Sequence, residues 1–173
     1  MTASSSIVYL ILSACQFIVL LRFICQAMRV NYYNPVTQSI VRISGYLVKP
    51  FELLGNNLNN YLLFFILYAF TFLKLYLPLL VNSQNYPLDS LSIISFGYLV
   101  RDLLHIYWYL IIISAIKSWF SVFVNHPVFG LIDDLCEPLY ALVRSAIPSI
   151  SGIDFSPVII LVLLQVLEKV FIP

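Results

Sequence analysis

The sequence predicts an all-α membrane protein: four transmembrane helices in two parallel repeats, each repeat carrying an interfacial amphipathic helix. Three observations lead there. Apolar residues make up 61% of the chain and charged residues 10%. A soluble domain carries about a quarter charged residues, so this inventory cannot build a polar surface. Long apolar stretches approach the roughly 20 residues that a 30 Å hydrocarbon layer requires. Finally, residues 34–54 and 126–146 read as one element written twice, each copy lying after a long apolar stretch.

The first span is expected at Ile7–Ala27, with Arg22 as its only charge. No basic residue precedes Arg22 and no small-x-small site follows, so the segment reads as an uncleaved anchor. Pro35 then opens the first amphipathic helix, whose polar face is Gln38, Arg42, Gly45, Lys49 and Glu52. The second copy opens at Pro127 and places Gly130, Asp134, Glu137, Ala141 and Arg144 in the same pattern. Steps of four, seven, eleven and fourteen follow a 3.6-residue period. The second span is expected at Tyr61–Val81, interrupted by Lys74 and Pro78, and the third at Leu99–Phe120. The fourth, Pro157–Ile172, is short, with Glu168 and Lys169 close to its end. Ser156 is the expected cap of that helix, Pro157 its first residue, and Gly152 the chain reversal before it. The whole chain, 1–173, reads as a single membrane domain: repeat one at 7–81, a linker at 82–98, repeat two at 99–173.

Basic residues in short connections set the expected orientation. Arg29, Arg42 and Lys49 lie between the first two spans, and Arg144 between the last two. The connection between spans two and three has neither Lys nor Arg. Both amphipathic helices are therefore expected on the cytoplasmic side and both termini outside. An even number of spans per repeat makes the repeats parallel.

Charged residues within spans are costly and are candidate functional groups. We expect Arg22 to pair with Asp154 on the inner side, and Lys74, Arg101, Asp102 and Glu168 to form an outer network. Equivalent positions of the two amphipathic helices carry opposite charges, Arg42 against Asp134 and Glu52 against Arg144, which suggests pairing across the repeats. His105 lies near Arg101 and Asp102, an arrangement that fits an ordinary interfacial histidine, a proton relay, or a metal or haem ligand. The three cysteines, Cys15, Cys25 and Cys136, have no metal-ligand spacing and read as small packing residues.

No phosphate loop, nucleophile elbow or His-Glu-x-x-His motif occurs. The expectation is therefore a protein without enzymatic activity, catalytic residues, cofactor or metal. A net charge of +1 with scattered basic residues also argues against a nucleic-acid face.

Residues 126–167, HPVFGLIDDLCEPLYALVRSAIPSISGIDFSPVIILVLLQVL, resemble the YggT/YlmG family of small integral membrane proteins. The likeness rests on Pro127, Glu137–Pro138, Arg144, Ile147–Pro148, and the string Gly152, Ile153, Asp154, Ser156, Pro157. The segments LLRFICQAM, residues 20–28, and YYNPVTQSIVRI, residues 32–43, are similar to the family's other repeat. The later part of the first half departs from it, with Tyr46, Glu52 and the Asn-rich stretch 55–60. The resemblance carries over a structural framework of Arg22, Pro127, Pro138, Arg144, Gly152, Asp154, Ser156 and Pro157, and no catalytic residues. It implies a multi-pass protein of the bacterial inner membrane, linked to cell division, osmotic or ion homeostasis, or cytochrome maturation in plastids. Two functions are expected from this. The first is an organising or assembly factor for membrane complexes, working with the lipid bilayer and with other membrane proteins or copies of itself. The second is an oligomeric ion or osmolyte pathway in osmotic or potassium homeostasis.

Overall fold

The computed structural model describes residues 3–52, 59–84, 86–117, 126–147 and 154–171. Every regular element among them is helical: α1 (Ala3–Ala27), α2 (Pro35–Glu52), α3 (Asn60–Val81), α4 (Leu88–Lys117), α5 (Pro127–Ala146) and α6 (Ser156–Phe171). Three of them, α1, α3 and α4, are long and apolar enough to cross a membrane. At 1.5 Å per residue, the 16 residues of α6 extend only about 24 Å. That falls short of a perpendicular crossing of about 30 Å.

The bounds of α1 and α3 extend the predicted spans only at their N-terminal ends. The third differs more. Helix α4 starts at Leu88 and runs 30 residues to Lys117, so much of the segment read as a linker, 82–98, is helix. The apolar pattern hid this start, because Ser90, Ser92, Ser95 and Gly97 make the first turns look like loop. The hydroxyls of Ser92 and Ser95 are absorbed locally. Ser92 Oγ donates to the Asp89 carbonyl at 2.6 Å and Ser95 Oγ to the Leu91 carbonyl at 2.7 Å. Trp119 and Phe120, the expected end of that span, lie outside the described residues.

The chain forms two compact units, Met1–Ala27 with Ile40–Val100, and Met28–Ser39 with Arg101–Pro173. The boundary falls inside α2 and α4, so neither unit coincides with a contiguous half of the sequence. In the first unit α1 packs along α3. Val19, Leu20 and Ile24 of α1 are buried, as are Leu63, Ile66 and Leu67 of α3. Phe23 and Phe64 meet with ring centroids 6.0 Å apart. Arg22, on the same helix, donates to the Val41 carbonyl at 3.1 Å and to Ser44 Oγ at 3.2 Å, which ties α1 to α2.

Both ends of α3 are closed by side chains and backbone. Asn59 accepts the Leu62 N–H at 2.8 Å, satisfying one of the orphan amides of the first turn. At the other end Gln84 N donates to the Leu79 carbonyl and Ser83 N to the Leu80 carbonyl, each at 3.0 Å. This is a Schellman closure, and it places Ser83 at φ 54, where glycine is the usual residue.

In the second unit α5 packs on α6. Helix α5 buries Leu131, Ile132, Leu135, Cys136 and Tyr140, while Asp133, Asp134 and Glu137 are exposed. Helix α6 buries Ile160 and Leu164, one turn apart. His126 caps α5 by accepting the Val128 N–H through Nδ1 at 3.3 Å, and Pro127 occupies the first turn. Asn34 serves both helices of this corner. Its Oδ1 accepts the Val36 N–H at the start of α2, and its Nδ2 donates to the Pro127 carbonyl at 2.7 Å.

Candidate functional site

The densest polar arrangement in the second unit surrounds Arg144 on the exposed side of α5. Its guanidinium donates from Nη2 and Nε to Asp154 Oδ2 at 2.8 and 3.0 Å, and from Nη1 to Glu137 at 3.2 Å. The guanidinium also lies over the Tyr140 ring, 5.2 Å from its centroid. A planar fork suits this double duty, whereas a lysine could not span two carboxylates and stack on a ring at once. Beside it, Lys117 at the end of α4 pairs with Asp133, bringing a second cation against the acidic face of α5. Arg144, Glu137, Tyr140, Lys117 and Asp133, together with Ser114, line a small cavity of about 260 Å³.

Asp154 joins α5 to the start of α6. Oδ2 holds Arg144, and Oδ1 accepts the Ser156 N–H at 2.9 Å where α6 begins. Ser156 at the start of α6, and then Arg144, hold the Asp154 carboxyl below its usual range. The same contact with Asp154 pushes the Arg144 guanidinium further towards its charged form. Beneath the cluster Cys136 is wholly buried. Burial, reinforced by Asp133 and Glu137, pushes its thiol up to about 12, so it remains a neutral packing group.

Within its own unit, each of these groups has the following partners. Where Arg22 was expected on Asp154, the structure gives Asp154 to Arg144, and Arg22 binds Val41 and Ser44. The physical reason is proximity: Arg144 and Asp154 are ten residues apart, joined by a short connection, and meet at little entropic cost. Asp134, expected opposite Arg42, accepts the Asn31 N–H at 3.4 Å. Arg144, expected opposite Glu52, is taken by Glu137 and Asp154; the Glu52 side chain lies outside the described residues. Ser156 was expected to cap α6. It is instead the helix's first residue, with Pro157 second, and the carboxylate of Asp154 takes its N–H.

Of the expected outer network, the structure joins Arg101 and Glu168, with Arg101 Nε 3.5 Å from Glu168 Oε1. It adds His105, whose Nε2 lies 2.7 Å from the same oxygen. Asp102 is on the same stretch of α4 and is half-buried. Lys74 belongs to the first unit, where it is 4% exposed and lies 5.8 Å from the Tyr9 ring centroid. Pro138 lies inside α5 and is exposed; it has no N–H to give to the Asp134 carbonyl. Gly152 lies outside the described residues.

Sequence reasoning missed Asn31, Asn34 and His126 as positioning residues. A signal was present for two of them: Asn34 and His126 stand directly before Pro35 and Pro127, the place where helix caps occur.

The family model CCB3/YggT matches residues 93–173, which contain Glu137, Arg144 and Asp154. An uncharacterized protein of Pseudomonas aeruginosa is 31% identical over 159 residues, covering 90% of this chain and 81% of that one. Uncharacterized protein YggT of Escherichia coli K12 is 26% identical, over 87% of this chain and 79% of its own. The chain belongs to the CCB3/YggT family. An uncharacterized protein of Vibrio alginolyticus is 29% identical across 86% of this chain and 82% of that one. No solved structure matches. The CCB3/YggT assignment indicates no enzymatic family, and it agrees with helices of membrane-spanning length and apolarity.

Proposed function

We propose that the chain is a non-enzymatic, multi-pass protein of the bacterial inner membrane that organises or helps to assemble membrane complexes of cell division, the envelope or cytochrome biogenesis. On this reading α2 and α5 are amphipathic helices on the cytoplasmic leaflet, and they descend from an internal repeat. The observation that carries it is the exposed acidic row of α5, Asp133, Asp134 and Glu137, standing over a buried apolar face. Lys117, Arg144 and Asn31 hold that row in a fixed arrangement. A row of charges ordered in this way presents a ready surface to a partner's basic segment.

The test is mild affinity purification of the tagged protein from its native membrane, with subunit composition read by mass. A partner at fixed stoichiometry is expected, and its yield should fall for Asp134→Arg. Recovery of the chain with lipid alone would remove the assembly reading.

A second reading is an oligomeric ion or osmolyte pathway, active under osmotic stress or in potassium homeostasis. The Arg101, His105 and Glu168 cluster favours it, because it places titratable groups on α4, a helix of spanning length. Reconstituted vesicles should then pass cations at a rate that Glu168→Gln changes. A flux equal to that of empty vesicles would exclude it.

A further inference from the structure

The first unit contains a cavity of about 540 Å³, within the ~300–1,000 Å³ range of small-molecule sites. Its one charged lining group is Lys74, which is 4% exposed and stands two turns before the end of α3. The ammonium lies 5.8 Å from the Tyr9 ring centroid, a contact that restrains it against one wall. Leu91 and Ile94 supply an apolar wall on α4. Asn82 and Gln84, in the closure that ends α3, supply amides at the rim. Ile94 is 38% exposed, so the cavity is open along its apolar wall.

We propose that this cavity binds one anionic phospholipid, with its phosphate held by Lys74 and the rim amides and its acyl chain leaving across Ile94. The combination selects for an amphiphile. A cation under apolar walls favours an oxyanion over a neutral head, and an open apolar wall favours an attached hydrocarbon chain. An ammonium has three N–H donors, so it holds a phosphate oxygen alongside the interactions it already makes. With α3 spanning the membrane, the closure at Asn82 to Gln84 lies near one end of that span, where lipid phosphates are found.

The experiment is native mass spectrometry of the full chain in detergent, titrated separately with phosphatidylglycerol, phosphatidylcholine and oleate. One phosphatidylglycerol per chain is expected to remain bound, with phosphatidylcholine lost. Lys74→Gln should weaken retention by about tenfold or more, the effect of removing a charge-assisted contact, whereas Lys49→Gln on exposed α2 should not. Ile94→Trp keeps the cation but fills the cavity, and should lower retention without lowering the unfolding temperature. It therefore stands as the test if Lys74→Gln fails to fold. Equal retention of phosphatidylcholine, retention of oleate alone, or Ile94→Trp binding phosphatidylglycerol as tightly as the wild type would each overturn the proposal.

Discussion

At the scale of single residues, Arg144 has the clearest consequence. It holds two carboxylates, yet its side chain is 43% exposed, and solvent screens each contact. Arg144→Ala should therefore cost about 1 kcal/mol, read as a lower unfolding temperature in detergent. Asp154→Asn should cost a similar amount, and the double variant less than the sum, because the two changes remove one shared interaction. The pH dependence follows from the lowered carboxyl of Asp154. Folding favours its charged form, so its contribution is complete above the ordinary value of about 3.9 and is lost as pH falls through the lower folded value. Thermal stability should be insensitive to Asp154→Asn-type charge loss only in strong acid, and the gap between wild type and variant should close below about pH 4. Cys136 gives an independent check: with a thiol pushed up to about 12 in a wholly buried site, it should resist alkylation at pH 8 until the protein is denatured.

At the scale of elements, the ends of the helices decide more than their middles. Ser83 holds a left-handed φ of 54 in the closure of α3, where a side chain is strained and glycine is not. Ser83→Gly should stabilise the protein by up to about 1 kcal/mol, seen as a raised unfolding temperature. Asn34→Ala should do the reverse at about 1 kcal/mol, since it removes the cap of α2 together with the bond to the Pro127 carbonyl. The C-terminal ends of α1 and α3 and the start of α5 were legible because apolar runs and Pro127 mark them directly. The start of α4 was not, because Ser92 and Ser95 satisfy their hydroxyls within the helix, and a sequence pattern cannot distinguish that from a loop. Only 16 residues form α6, so its place among the spans depends on tilt and on its neighbours.

At the scale of the whole molecule, the positive-inside expectation assigns the α3–α4 connection and the α5–α6 connection to opposite faces of the membrane. In a cysteine-free background, Gln84→Cys should react with a membrane-impermeant maleimide added from outside, and Ser145→Cys only after the membrane is opened. The opposite pattern would invert the topology. The division into two units cuts through α2 and α4, a boundary that no composition shift announces, because a continuous helix carries no punctuation where its packing partners change.

The sequence alone determined the class of solvent this chain requires and the helices that meet it. Both follow from quantities summed along the chain, apolar length and 3.6-residue periodicity, which need no knowledge of what lies nearby. It also determined the family, through Pro127, Glu137–Pro138, Arg144 and the string from Gly152 to Pro157. Only the tertiary structure decided which charges meet. Arg22 found Ser44, Asp154 found Arg144, and His105 joined Arg101 at Glu168. With 17 charged side chains among 173 residues, 9 basic and 8 acidic, many pairings satisfy charge equally well. The choice among them is made by distance and orientation, which exist only once the helices have packed.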